Sequence, residues 1–150
     1  MIKKTLIIPT LVFLAALVAA TLYLYSGGES KHAPAITIEN ARIRPPLPGQ
    51  TTAIGWFDIV NAGAVDELLS ASSPISDKIE LHTHTMTGGI MKMRQVKTVR
   101  INGETTTEFK PGGLHIMIFN ANIAPDAQHV PLTLSFARSG DMKVTAKIVE

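Results

Sequence analysis

The chain has 150 residues, no cysteine, and 14 basic against 12 acidic side chains. That length fits one domain, and the missing thiols exclude a thiolate zinc site, a blue-copper centre, a cysteine nucleophile and disulfide staples. Lys3 and Lys4 account for the basic excess, so the remainder is charge-balanced and lacks the electrostatic footprint of a phosphate binder.

Met1 is followed by Lys3 and Lys4 and then by an almost unbroken apolar run from Leu6 to Tyr25. A short positive stretch ahead of an apolar run is the layout of a secretory signal, and Val18-Ala19-Ala20 supplies the small residues of a cleavage site. The run of about 20 residues is also long enough to span a bilayer as a helix. Residues 1–25 are therefore read as a signal peptide or a signal anchor. The positive-inside bias keeps Lys3 and Lys4 cytoplasmic and exports the rest. Residues 26–34, rich in Gly, Ser, Glu and Lys, read as a linker, and residues 35–150 as the folded domain.

Within the domain no amphipathic helix is evident. Short runs rich in β-branched residues alternate with turn formers instead. The predicted strands are Ile36–Ile43, Ala53–Val60, Leu68–Ser72, Lys78–Thr85, Ile90–Val96, Val99–Ile101, Thr105–Phe109, Leu114–Phe119, Val130–Ala137 and Met142–Val149. Gly88-Gly89 and Ser139-Gly140 read as hairpin turns, and Asn102-Gly103 as a two-residue hairpin because both positions tolerate positive φ. Many short strands at this spacing predict an all-β sandwich or barrel with one core.

Four of the six methionines, Met86, Met91, Met93 and Met117, fall in nearly the same window as His82, His84 and His115. Strands favour β-branched and aromatic residues, so methionine crowding there is unusual. Filling core gaps is the bland explanation, and strand parity tests it. Side chains alternate between faces, so Leu114, Ile116 and Ile118 share one face, and His115 and Met117 the other. Upstream, Ile79, Leu81 and Thr83 face one way and Glu80, His82 and His84 the other, while Met91 and Met93 share a face beyond the glycine turn. One hairpin thus brings His82 and Met93 close, and a third strand adds His115 and Met117.

Two imidazoles and two thioethers make a neutral, partly soft ligand set that selects copper(I) over calcium, magnesium or manganese. Two methionines argue against zinc. The candidate metal ligands are His82, Met93, His115 and Met117. His84, Met86 and Met91 are candidates for transient ligands, although surface or hairpin packing explains them more simply; His32 and His129 read as solvated. Asp66, Glu80 and Glu108 read as scattered surface acids. No Ser/His/Asp arrangement, paired carboxylates or phosphate-cradling glycine loop points to an enzyme.

His82-x10-Met93-x21-His115-x-Met117 resembles the signature of the PCuAC-type periplasmic copper chaperones. Glu80-Leu81-His82 with Gly88-Gly89 and Met91-Lys92-Met93-Arg94 is similar to the family's first ligand hairpin. Pro111-Gly112-Gly113-Leu114-His115-Ile116-Met117 is similar to its second ligand segment. Gly55-Trp56-Phe57 with Asn61, and Val130 to Phe136, extend the resemblance to the whole domain. Trp56 stands where Tyr is commoner, and no His/Met-rich tail follows the domain up to Glu150, so a single copper site is expected.

The resemblance implies a cupredoxin-like β-sandwich of Greek-key type with an exposed copper(I) site at one end. It also implies a periplasmic carrier that passes copper to respiratory oxidase assembly. The copper-receiving partner would be a membrane oxidase subunit, with a thioredoxin-like assembly factor as a second partner. The competing expectation is a metal-free exported interaction module using the same His/Met face, and its mark would be a flanking exposed apolar patch.

Overall fold

The computed structural model describes residues 33–150. The expected signal or anchor segment and most of the linker lie outside the described residues. Ten strands and no helix make up the described domain: β1 Ile36–Arg44, β2 Ala53–Asn61, β3 Asp66–Ser72, β4 Lys78–Thr87, β5 Ile90–Val96, β6 Val99–Ile101, β7 Thr105–Glu108, β8 His115–Phe119, β9 His129–Phe136 and β10 Gly140–Ile148. Each predicted strand is present, with ends displaced by at most two residues.

The strands form one continuous ladder in the order β5-β4-β8-β2-β1-β10-β9-β3-β6, with β7 also pairing β2. A short parallel pairing of β1 with β10, through Arg42↔Lys147 and Ile43↔Ile148, is the seam between its two halves. The halves close on a single apolar core. Phe57, Ile59, Leu81, Ile116 and Ile118 come from one half, and Leu68, Ile101, Leu132, Leu134 and Phe136 from the other. Phe57 stacks on Phe109 with ring centroids 4.5 Å apart. Period-two burial is clearest in β2, where Ala53, Gly55, Phe57, Ile59 and Asn61 are buried and the intervening residues are not.

Strand β2 organises the site half. Its first residues pair with β8 through Ala53↔Ile118, Ile54↔Met117 and Gly55↔Ile116. Its later residues pair with β7 from Asp58↔Glu108 to Asn61↔Thr105. A Cβ on Gly55 would lie 2.8 Å from Cγ1 of Ile116, so glycine is what lets Ile116 lie over β2. The β4–β5 hairpin turns through Gly88 (φ 58°) and Gly89 (φ 77°) between the closing pair Thr87↔Ile90, the geometry of a type I′ turn.

The expected Asn102-Gly103 hairpin does not form. Strand β6 pairs with β3, and β7 pairs with β2, so the chain crosses between the two halves at this point. Asn61 explains the divergence. Its buried amide donates to the carbonyls of Ala64 (2.7 Å) and Asn102 (3.2 Å) and accepts from the N–H groups of Gly63 (3.0 Å) and Ala35 (3.2 Å). Gly103 lies so close to Gly63 that an added Cβ would sit 2.4 Å from the Gly63 carbonyl oxygen. Tertiary clamping overrides a local turn preference, and the positive φ in this turn falls on Glu104 instead.

Asp66, expected at the surface, is buried. Its carboxylate accepts from the backbone N–H of Glu67, Arg138 and Ser139 and from the Ser139 hydroxyl. Desolvation, the largest single influence, raises its pKa, but these four hydrogen bonds together bring it below its ordinary value of 3.8. A depressed carboxylate pKa contributes stability that is fully present above the unfolded value and lost as pH falls through the folded one. Asp66→Asn is therefore expected to cost about 2 kcal/mol at pH 7. In urea titrations the gap to the wild type should narrow below pH 3.8.

Candidate metal centre

The candidate centre lies on the side of the β5-β4-β8 ladder facing away from the aliphatic core. Ile79, Leu81, Ile116 and Ile118 pack inward, which by alternation turns Glu80, His82, His84, His115 and Met117 to the other face. Across the β4–β8 ladder His82 pairs directly with His115, and Glu80 with Met117. Across β4–β5, His84 pairs with Met93, Met86 with Met91, and His82 with Gln95. Met93 is thus a direct neighbour of His84 and only a diagonal neighbour of His82.

The structure brings three imidazoles together. The rings of His84 and His115 stack with centroids 5.2 Å apart, and those of His82 and His115 are 5.9 Å apart. His115 is 2% exposed although it points away from the core. Its Nδ1–H donates to the Gly113 carbonyl at 2.9 Å, which leaves Nε2 with its lone pair buried and without a hydrogen-bond partner. His82 repeats the pattern on the other nitrogen. Its Nε2–H donates to the Glu80 carboxylate at 2.8 Å, and its buried Nδ1 has no partner. Tying one ring N–H to a carbonyl or carboxylate is what fixes an imidazole tautomer for metal ligation through the other nitrogen. Nδ1 of His84 is likewise buried and unpartnered.

The turn before β8 supplies the anchor for His115. Gly112 takes φ 79°, Gly113 N–H donates to the Lys110 carbonyl at 3.0 Å, and Lys110 N–H donates to the Leu114 carbonyl. That tight turn presents the Gly113 carbonyl to the ring. Glu80, anchoring His82, is itself bridged to Lys78 at 3.1 Å. Hydrogen bonding first to His82 and then to Lys78 holds its carboxyl below the ordinary carboxylate range. Glu80, expected to be a scattered surface acid, instead anchors a candidate ligand. The signal that identifies it is its i, i+2 relation to His82 on one strand face.

The two thioethers flank the imidazole row from opposite sides. Met93 stands opposite His84 and Met117 opposite Glu80, four residues apart along β4 and two strands apart across the sheet. In an uncoiled sheet their Cα atoms would be on the order of 15 Å apart. One ion touching both sulfurs therefore needs the β4–β5 hairpin to curl toward β8. Among the described residues no three His, Asp or Glu side chains form a metal cluster by themselves.

Comparison with solved structures places this fold. The copper-bound PCuAC domain from PmoF2 is similar with a TM-score of 0.63 and 23% identity, over 75% of this chain and 91% of that one. The apo PCuAC domain from PmoF1 gives 0.63 and 19% over 76% and 92%. The solution structure of CuI-DR1885 from Deinococcus radiodurans gives 0.62 and 20% over 82% and 83%. The described domain has the β-fold of PCuAC domains. No curated protein sequence matches the chain. The profile of the family described as "Putative lipoprotein LpqE-like" matches residues 36–148, and the chain belongs to that LpqE-like family.

Burial, the largest influence, pushes the His115 imidazole below its ordinary value of 6.5. The Gly113 hydrogen bond opposes this, and charge on His84 or His82 adds to it. The folded state thus takes up this proton less readily than the unfolded chain. Its contribution to stability is present above pH 6.5 and declines as pH falls from there toward the folded value. In an NMR titration of the metal-free protein, His115 is expected to titrate below 6.5. A His115 transition at or above that value would contradict the buried, neutral imidazole.

Proposed function

We propose that the chain is an exported copper(I) carrier. It holds one ion through His82, Met93, His115 and Met117 and releases it to the assembly of a respiratory oxidase copper centre. The observation that carries this reading is the pair of anchored imidazoles. Gly113 and Glu80 each hold one ring N–H, and the opposite nitrogens of His115 and His82 are buried lone pairs without partners. The similar copper-bound PCuAC domain from PmoF2 and CuI-DR1885 support it.

The chemistry of release follows from the donor set. Neutral thioethers bind copper(I) without a charge of their own, so a partner's thiolates displace them readily. A membrane oxidase subunit as final recipient, and a thioredoxin-like factor as intermediary, fit that exchange. No catalytic step is required of the chain. Export rests on the positive and apolar N-terminal pattern and agrees with the lipoprotein description of the family. These 150 residues contain no cysteine, so a lipid linked through a thiol has no attachment point in them. The apolar run Leu6–Tyr25 is the feature suited to membrane attachment when it is retained.

One observation favours the metal-free interaction module. Met86, Ile90 and Met91 at the tip of the β4–β5 hairpin are 66%, 62% and 57% exposed. That is the flanking apolar patch such a module needs.

An anaerobic copper(I) titration of the full chain in detergent, in competition with a chromogenic chelator, separates the two readings. One tight equivalent is expected, and its loss in Met93→Leu/Met117→Leu. Equal uptake by both proteins, or none by either, would make the interaction module the better account. Glu80→Gln is expected to weaken copper(I) binding by about tenfold, the usual scale for a group that orients a ligating histidine. Affinity should also fall below about pH 6 as protons compete for the imidazoles. Undiminished binding at pH 5 would count against histidine ligation.

A further inference from the structure

The exposed methionines at the hairpin tip follow a pattern that random surface filling does not produce. Met86 and Met91 are directly opposed across the β4–β5 ladder, and one same-face step further in Met93 opposes His84. The other face of the same hairpin carries the pairs Thr85↔Lys92 and Thr83↔Arg94. Thioethers are thus segregated to the face that leads to the imidazole row. Met86, Met91 and Met93 remain 66%, 57% and 43% exposed, so core packing does not account for them. Directly opposed side chains have Cβ atoms about 5 Å apart, and flexible thioethers at that spacing can close on one ion between them.

We propose that Met86, Met91 and Met93 form an outer capture site for a soft monovalent cation, copper(I) or silver(I), with His84 leading inward. The inference rests on the reading of the inner centre as a copper(I) site. The ladder divides the soft donors into two groups, Met86, Met91 and Met93 at the tip, and His82, His115 and Met117 further in. Met93 belongs to both, because a curl of the hairpin carries it from the first group to the second.

Transfer is a ligand exchange at constant oxidation state. Met86–ion and Met91–ion bonds break, bonds to Nδ1 of His82, Nε2 of His115 and Sδ of Met117 form, and Met93 stays bound throughout. The receiving nitrogens already carry lone pairs, so no proton has to leave. His84, stacked 5.2 Å from His115, lies between the two groups.

The test uses silver(I), which needs no reductant, and the full chain in detergent with 13C-methyl-labelled methionine. In the inner-site variant His115→Ala/Met117→Leu, silver(I) is expected to shift the methyl signals of Met86, Met91 and Met93. In Met86→Leu/Met91→Leu, affinity at the inner site should stay within about threefold of wild type, because neither side chain holds the ion in its inner position. Its loading rate from a silver–methionine donor should fall by about tenfold, with release through the tip slowed in proportion. Unmoved Met86 and Met91 signals, or an unchanged loading rate, would overturn the proposal. Tip shifts in a wild type that takes up no tight equivalent would instead overturn the inner-centre reading and leave the tip as a capture site.

Discussion

The direct pairing of His82 with His115 across the β4–β8 ladder is the constraint on which the candidate centre depends. Register in a sheet is held by its buried face, and a slip of one residue would exchange the two faces completely. Here Ile79 and Leu81 on β4 and Ile116 and Ile118 on β8 share the core, and the ladder through Ile79↔Ile118 and Leu81↔Ile116 is set by their burial. The same hydrophobic alternation that closes the domain therefore places two imidazoles side by side on the opposite face. Strand β2 fixes β8 from its other edge, where Gly55 leaves room for Ile116. Folding and site assembly are one process in this half of the molecule.

The polar groups of the domain divide into two kinds. Asn61 and Asp66 are buried, and each makes four hydrogen bonds that clamp turns and strand ends. One ring nitrogen in each of His82, His84 and His115 is buried with no such compensation. An unsatisfied buried polar atom costs about 1–3 kcal/mol, and folded proteins keep few of them. Three within one patch, in a domain that satisfies its other buried polar side chains closely, are what make this patch the candidate binding site.

Strand positions and core faces were legible in the sequence because period-two alternation and glycine turns are strong local signals. The buried alternation of β2 and the Gly88-Gly89 turn follow directly from such patterns. Asn102-Gly103 misled because its partners are distant in sequence. Asn61 and Gly63 draw that turn across the domain, and no local rule contains them. Parity placed His82, Met93, His115 and Met117 on a common face, but parity carries no register. The opposition of Met93 to His84 rather than His82, and the stacking of His84 on His115, arise from hairpin register and ring packing. The hydrogen bonds that His82 donates to Glu80 and His115 to Gly113 needed side-chain geometry.

The distribution of donors between rigid and mobile elements suits binding that must be reversible. The nitrogens sit on β4 and β8, both interior to the ladder, with their tautomers fixed by Glu80 and Gly113. Met93 sits on β5, which ends the ladder and is exposed along almost its whole length. An edge strand with one neighbour moves more freely than an interior one, and Lys92 and Arg94 on its other face discourage pairing with another chain. A cation bound through both elements would therefore lose its thioether from β5 before its imidazoles from β4 and β8. An incoming thiolate would meet an ion already partly freed, on the side where the hairpin opens to solvent. Replacing Met93 by a charged or chelating donor would tighten the weak end of the site and work against release.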